Sequence, residues 1–352
     1  MSQNIDSILD AAEQQQASDV FLQENEVPRL KINGQIIVFG KEPLSVVDMG
    51  AFWQACGANA QGDGDRDRDS GFISPTHTRY RVNLHRTMGR LGAVLRRIKT
   101  NVPGLNALGA PEWLLTRWAA REHGLILVTG PTGSGKSTTI ASLLQWMNEN
   151  QVRHIVTIED PIEYQFTSNR CHFTQRQVGR DTGTFATGLR SALRQAPDVI
   201  FLGEVRDYET ALTALQASET GHLVLSTMHS EKVADTMERY LNLFPTEHAK
   251  HGTNLLANQL SGILCQKLVE SADGGLHLLV EHVENAGAMR DWIARRELQS
   301  IDQYIGRGSD PAAVSFLQST IKALQAKIIT EATAMASVSN EAELRRAMRG
   351  IG

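Results

Sequence analysis

The sequence predicts an α/β protein in which a smaller N-terminal α+β domain is joined by a short linker to a larger domain built on a parallel sheet. Three observations predict this. The chain has 352 residues, more than one average domain of roughly 150 residues. The segment KTNVPGLNALGAP, residues 99–111, carries two prolines, two glycines and little apolar periodicity, as an interdomain linker does. Beyond it the apolar runs GLILVTG, HIVTIED, DVIFLGE and HLVLSTMH alternate with helical stretches, the pattern of parallel strands with crossover helices. The domains are therefore set at 1–98 and 112–352, with 99–111 between them.

Composition narrows the function classes. Hydrophobic residues are 41% and charged residues 21%, a globular balance that excludes disordered and fibrous chains. A net charge of −4 and no basic stripe with interleaved aromatics argue against a nucleic-acid partner. Cys56, Cys171 and Cys265 are far apart and lack zinc spacing, so they read as reduced packing residues of an intracellular protein. The polar, acidic start MSQNIDSILDAAEQQQ is no signal peptide, and no run approaches the length of a membrane span. A cytoplasmic protein is expected.

In the first domain, Ile5, Ile8, Leu9 and Ala12 recur at helical spacing. The alternating runs VFLQ, PRLKINGQIIVF, TRYRVNLHR and GAVLRRI read as strands, with Asn33-Gly34 a hairpin turn. The stretch GDGDRDRDSG, ending at Gly71, reads as a solvated loop, because alternating Arg neutralises the acids a metal site would need. In the second domain, the chain reads as helical from about residue 252, with Leu255, Leu256, Leu260, Ile263, Leu264 and Leu268 as one stripe. Asn340 with Glu343 reads as a helix cap before ELRRAMR, whose arginines suit the negative end of the helix dipole.

The chemistry is concentrated in the second domain. GPTGSGKS matches GxxxxGK[ST] at every required position and lies between the strand LILVT and the helix TTIASLLQWM. Gly130, Pro131, Thr132, Gly133, Ser134 and Gly135 would turn backbone N–H groups around phosphates, with Thr138 completing the binding segment. Lys136 would reach the β/γ oxygens of ATP, and Ser137 would ligate Mg²⁺ at the helix N-terminus. Hydrolysis also needs carboxylates at neighbouring strand ends. HIVTIEDPIEY offers Glu159, Asp160 and Glu163, of which Glu163 is the candidate base. DVIFLGEVRD offers Glu204, placed to contact Mg²⁺ through water. His222 and His229 flank the strand in TGHLVLSTMHS, and phosphate sensing or interface hydrogen bonding suits them better than joint metal binding.

Taken in order, GPTGSGKST, TIEDPIEY, LRSALRQAPDVIFLGEVRD and ETGHLVLSTMHS resemble the secretion ATPase superfamily, where they are the Walker A motif, Asp box, atypical Walker B motif and His box. They span roughly residues 124–245. ASDVFL, KINGQI, RYRVN and SNEAELRRA extend the likeness over nearly the whole chain, most closely to PilT-type pilus retraction ATPases. The resemblance implies a RecA-like P-loop domain behind a PAS-like N-terminal domain, with a helical C-terminal region. It implies a homo-hexamer that hydrolyses ATP at subunit interfaces to dismantle type IV pili, peripheral to the inner membrane on a pilus or secretion platform protein. Glu163 would be the catalytic glutamate, Glu204 the Walker B acid, and His222 and His229 the His-box pair. Arg81, Arg96 and Arg97 best match the arginines that reach a neighbouring subunit's nucleotide. In place of the family's AIRNLIRE segment the chain has AMRDWIARR, with Trp292 for an aliphatic residue. The alternative is a nucleotide-switched assembly or secretion ATPase of a related pilus, type II or type IV secretion system, or an accessory PilU-like motor working beside a paralogous ATPase.

Overall fold

The computed structural model describes residues 5–32, 34–60, 67–338 and 340–348. It divides into two compact units, one of residues 1–100 with Glu163–Gln165, the other of residues 101–162 and 166–352. Among the described residues no helix is long and apolar enough to cross a membrane.

The N-terminal unit begins with helix α1 (Ile5–Gln14), which buries the expected Ile5, Ile8, Leu9 and Ala12. Strands β1 (Asp19–Gln23), β2 (Arg29–Ile32) and β3 (Gln35–Val38) follow, then α2 (Val46–Ala55), and then β4 (Asp67–Ile73), β5 (Arg79–Thr87) and β6 (Arg90–Arg97). The strands form one sheet in the order β3-β2-β1-β6-β5-β4. Gly34 turns the β2–β3 hairpin at φ +80°, while Asn33 lies outside the described residues. Alternation sets the core: Tyr80, Val82 and Leu84 of β5 and Ala93 and Leu95 of β6 point inward onto Leu9, Met49 and Trp53.

The loop expected over GDGDRDRDSG is corrected in part. Residues 61–66 lie outside the described region, but residues 67–71 belong to β4, which pairs antiparallel with β5 from Asp67↔His85 to Ile73↔Arg79. Cross-strand partners override the poor strand propensity of Asp and Gly at this sheet edge.

The second unit contains α3 (Glu112–Ala119), β7 (Gly124–Thr129), α4 (Lys136–Asn150), β8 (His154–Glu159), β9 (His172–Gln177), α5 (Phe185–Ala192), β10 (Val199–Leu202), α6 (Tyr208–Glu219), β11 (Leu223–Met228), α7 (Val233–Leu241) and α8 (Ala249–Gln259). After these come β12 (Leu260–Glu270), β13 (Leu276–Glu284), α9 (Met289–Arg295), α10 (Leu298–Arg307), β14 (Ala313–Val314), α11 (Phe316–Gln325), α12 (Glu331–Ser337) and α13 (Glu341–Met348). The sheet order is β14-β13-β12-β7-β11-β10-β8-β9. Strands β12 through β9 run parallel, and β13 and β14 add an antiparallel edge.

Period-two alternation gives the central strands two apolar faces. Leu125, Leu127, Val156, Ile158, Ile200 and Leu202 face one core. Ile126, Val128, Ile155, Val199, Phe201 and Leu225 face the other, against α3 and α4.

The helical stripe expected from residue 252 is corrected. Only Leu255 and Leu256 lie on helix α8, whereas Leu260, Ile263, Leu264 and Leu268 belong to β12, between β7 and β13. Seven successive residues from Leu260 are buried, and a strand covered on both faces loses the alternation that would distinguish it from a helix. The helical region proper starts at α9. Asn340 does cap α13, accepting from Glu343 N–H at 3.2 Å.

Candidate active site

The phosphate loop leaves the C-terminal end of β7 in the middle of the sheet and enters α4. Its glycines are required by geometry. Gly130 has φ +145°, and a Cβ there would lie 2.3 Å from Gln266 O and 2.5 Å from Ser134 Oγ. Gly135 caps α4 in the left-handed region at φ +88°, where L side chains are strained. Lys136 is buried, and its Nζ donates to Gly130 O and Pro131 O, both at 2.9 Å. Ser134 Oγ is buried with no hydrogen-bond partner among the described residues. A cationic side chain at the first turn of a helix, a free hydroxyl and a glycine backbone together form an anion cradle.

The second element of the site comes from β10 and β11, whose ends are stapled together. Ser226 Oγ and Thr227 Oγ1 donate to Leu202 O and Gly203 O, and Val205 N–H donates to Thr227 O at 3.1 Å. Glu204 thereby sits just beyond β10 with its side chain 11% exposed, one oxygen paired with Arg206 and the other 3.8 Å from His229 Nε2. At 3.8 Å the histidine contact is electrostatic rather than a hydrogen bond. Burial pushes the His229 pKa down from 6.5, the Lys136, Arg239 and Arg206 charges push the same way, and Glu204 opposes them. The balance favours the neutral imidazole of His229, which lies within the field of Lys136 and Glu204. Arg239 of α7 fixes its backbone by donating to His229 O.

His222 is placed elsewhere. It precedes β11 and His229 follows it, and six residues of strand separate the two ends by about 20 Å. His222 Nδ1 bonds Ala217 O and Thr220 Oγ1, and its carbonyl accepts from Gly124 N–H at the opposite end of the strands from the phosphate loop. Within one chain the two histidines do not form a pair.

At the end of β8, Glu159 is buried and accepts from Thr157 Oγ1 at 2.7 Å. The Asp160-Pro161 peptide is cis. The next residues, Glu163–Gln165, cluster with the N-terminal unit. There Glu163 O accepts from Lys99 N–H at 3.1 Å, Gln165 N–H donates to Lys99 O at 2.9 Å, and the Lys99 ammonium lies over the Tyr164 ring.

The three candidate arginines separate into two groups. Arg81 and Arg96 are directly opposed across β5 and β6, on the face away from the core. Arg96 Nε pairs with Asp19 Oδ1 at 2.7 Å, and Arg81 lies 3.7 Å from Asp69. Arg97 opposes Tyr80 on the other face and donates to Gln16 Oε1 at 2.8 Å.

Sequence reasoning missed several contributors. Arg206, two residues beyond Glu204 in GEVRD, was legible as a neighbouring charge. Gln266 walls the phosphate loop with its carbonyl and donates from Nε2 to Thr139 Oγ1 at 2.6 Å. Its segment reads as helix from the sequence, so nothing there points to it. Arg239 and Thr236 act from α7 through contacts that spacing does not reveal.

The type II/IV secretion system protein family matches residues 73–333. The chain belongs to that family. It is 35% identical to the type IV pilus retraction ATPase PilT of Pseudomonas aeruginosa, over 92% of this chain and 94% of that protein. It is 34% identical to the type IV pilus ATPase PilU of the same organism, over 93% and 87%. Among solved structures, the crystal structure of the pilus retraction motor PilT with bound ADP superposes with a TM-score of 0.88 at 34% identity, covering 98% of this chain and all of that one. The Legionella pneumophila ATPase DotB gives 0.82 at 29% identity, covering 94% of each chain. This type II/IV secretion family member is an ATPase.

Proposed function

We propose that the chain is a hexameric ATP-hydrolysing motor that drives retraction of a type IV pilus from the cytoplasmic face of the inner membrane, docked on a platform protein. The observation that carries the reading is the end-to-end likeness to the PilT retraction motor, combined with a phosphate loop that has Glu204 and His229 beside it.

In this reading water attacks the γ-phosphorus, the bond from that phosphorus to the β–γ bridging oxygen breaks so that ADP leaves, and Glu163 accepts the proton of the attacking water. Lys136 holds the β/γ oxygens, and neutral His229 offers a hydrogen bond near them. Mg²⁺, where bound, neutralises charge on those oxygens. Ser137, at the first turn of α4, and the carboxylate of Glu204 are the residues that would hold it. Among the described residues no group of three or more His, Cys, Asp or Glu side chains is arranged as a metal site. Arg81 and Arg96, on one sheet face, would reach a neighbouring subunit's nucleotide. An arginine delivered across an interface stabilises the transition state only when that interface is closed, which couples hydrolysis to movement.

A second reading, an accessory PilU-like motor beside a paralogous ATPase, is favoured by the 34% identity to PilU over 93% of the chain. In the divergent segment AMRDWIARR, Trp292 of α9 packs against Tyr304 of α10 with ring centroids 5.6 Å apart. Deleting the gene and observing pili tests both readings. Hyperpiliated, immobile cells are expected for a retraction motor, retained retraction under low load for an accessory one, and bald cells would overturn both in favour of an assembly ATPase.

A further inference from the structure

Glu281 on β13 is only 6% exposed, and its two oxygens accept from the first backbone N–H groups of two helices. Val233 of α7 donates to Oε1 at 2.9 Å, and Phe316 of α11 donates to Oε2 at 3.4 Å. Helix α11 has its own capping box from Ser315 and Gln318. Helix α7 has none: its N-cap is Lys232, without a side-chain capping bond, and an ammonium has no acceptor to offer. Glu281 therefore supplies the cap that α7 lacks and meets the positive end of its dipole.

Helix α7 is in turn tied to the nucleotide site at three points. Thr236 Oγ1 lies 2.7 Å from Ser230 Oγ and 3.2 Å from Thr129 Oγ1, the residue before Gly130. Arg239 holds the His229 carbonyl. Glu281 also lines a cavity of about 460 Å³ whose wall includes Pro131 of the phosphate loop, Lys232, and Asp302 and Ile305 of α10. A buried carboxylate is costly unless hydrogen-bonded; burial raises the Glu281 pKa, and the Val233 and Phe316 amides and Lys232 oppose that rise.

We propose that Glu281 is a positioning residue that ties the N-terminus of α11 to that of α7 and, through α7, sets the His229 loop and the Thr129–Gly130 turn for ATP hydrolysis. The inference rests on the reading that the His229 loop serves hydrolysis. It gives the C-terminal helices a route to the site that does not pass through the nucleotide.

Two variants of the full-length protein test it. Glu281→Gln keeps the volume and one acceptor but turns an NH₂ toward one of the two amides. Val233→Pro removes the α7 donor alone: proline suits the first helical position, and Lys232 is already extended at φ −127°, ψ 163°, as the residue before a proline must be. Each variant is expected to lower kcat about tenfold. ADP affinity should stay within about twofold, and the double variant should be no slower than the slower single one. Hydrogen exchange should quicken over residues 229–236 and stay unchanged in α4. Unchanged kcat in both variants, losses that multiply in the double variant, or exchange that quickens throughout the second unit would each overturn the assignment. If the wild type itself released no phosphate, the hydrolysis reading would fail, while the exchange pattern would still decide whether Glu281 holds α7.

Discussion

Glu204 divides its carboxylate between two cations or potential cations, with Arg206 on Oε1 and His229 Nε2 3.8 Å from Oε2. Its charge raises the His229 pKa, against burial and the charges of Lys136, Arg239 and Arg206. Glu204→Gln should therefore move the His229 midpoint further below 6.5, as followed by NMR titration. Turnover should fall by about 10²-fold, as expected when a preorganised charge at a reacting centre is removed, while ADP still binds. An upward movement of the midpoint would contradict this electrostatic account.

Gly130→Ala should destabilise the fold by at least about 2 kcal/mol, since the backbone there is left-handed and the new methyl would press on Gln266 O, which cannot withdraw without disturbing β12. A chemical denaturation curve superimposable on the wild type would show that the loop relaxes more freely than the structure indicates.

His282 is buried with Nε2 3.1 Å from Pro311 O, and burial holds its pKa below 6.5. The unfolded chain then takes up a proton near pH 6.5 that the folded chain refuses until a lower pH. Stability should fall as pH drops from about 6.5 toward the folded pKa. His282→Gln, which keeps a donor for Pro311 O, should lose that part of the slope in thermal unfolding between pH 7.5 and 5.5. Glu281 has the opposite sign: its raised folded pKa means stability is gained as pH falls through that value. Identical slopes for variant and wild type would remove His282 from the acid response.

Arg81 and Arg96 share one sheet face and Arg97 takes the other. In the assembled protein, Arg81→Ala and Arg96→Ala should each lower turnover at least about tenfold, and Arg97→Ala should change it little. A loss in Arg97→Ala equal to the other two would show that facing does not decide the role.

The strands around the phosphate loop were legible because their apolar runs end at Gly130, Glu159 and Glu204, where chemistry and strand end coincide. Strand β12 was not, because burial on both faces erased its period. Strand β4 was hidden by its Asp and Gly content, which only pairing with β5 makes tolerable. In the candidate site, the GxxxxGK[ST] spacing singles out Lys136, and the apolar run Val199–Leu202 singles out Glu204 just beyond it. The separation of His222 from His229 was legible as well, because the apolar run LVLSTM between them reads as a strand and puts them at its two ends. Arg239, Thr236 and Gln266 act through side-chain contacts to residues outside their own elements, which have no local pattern.

The most direct test of the central claim is phosphate release by the purified protein with ATP and Mg²⁺, comparing wild type, Lys136→Ala and Glu163→Gln under conditions where oligomer size is measured in parallel. The account predicts a wild-type hexamer that releases phosphate, no release from Lys136→Ala, and nearly none from Glu163→Gln even though that variant still binds ADP. Unchanged turnover in Glu163→Gln, or a wild type that stays a single subunit and releases no phosphate, would contradict it.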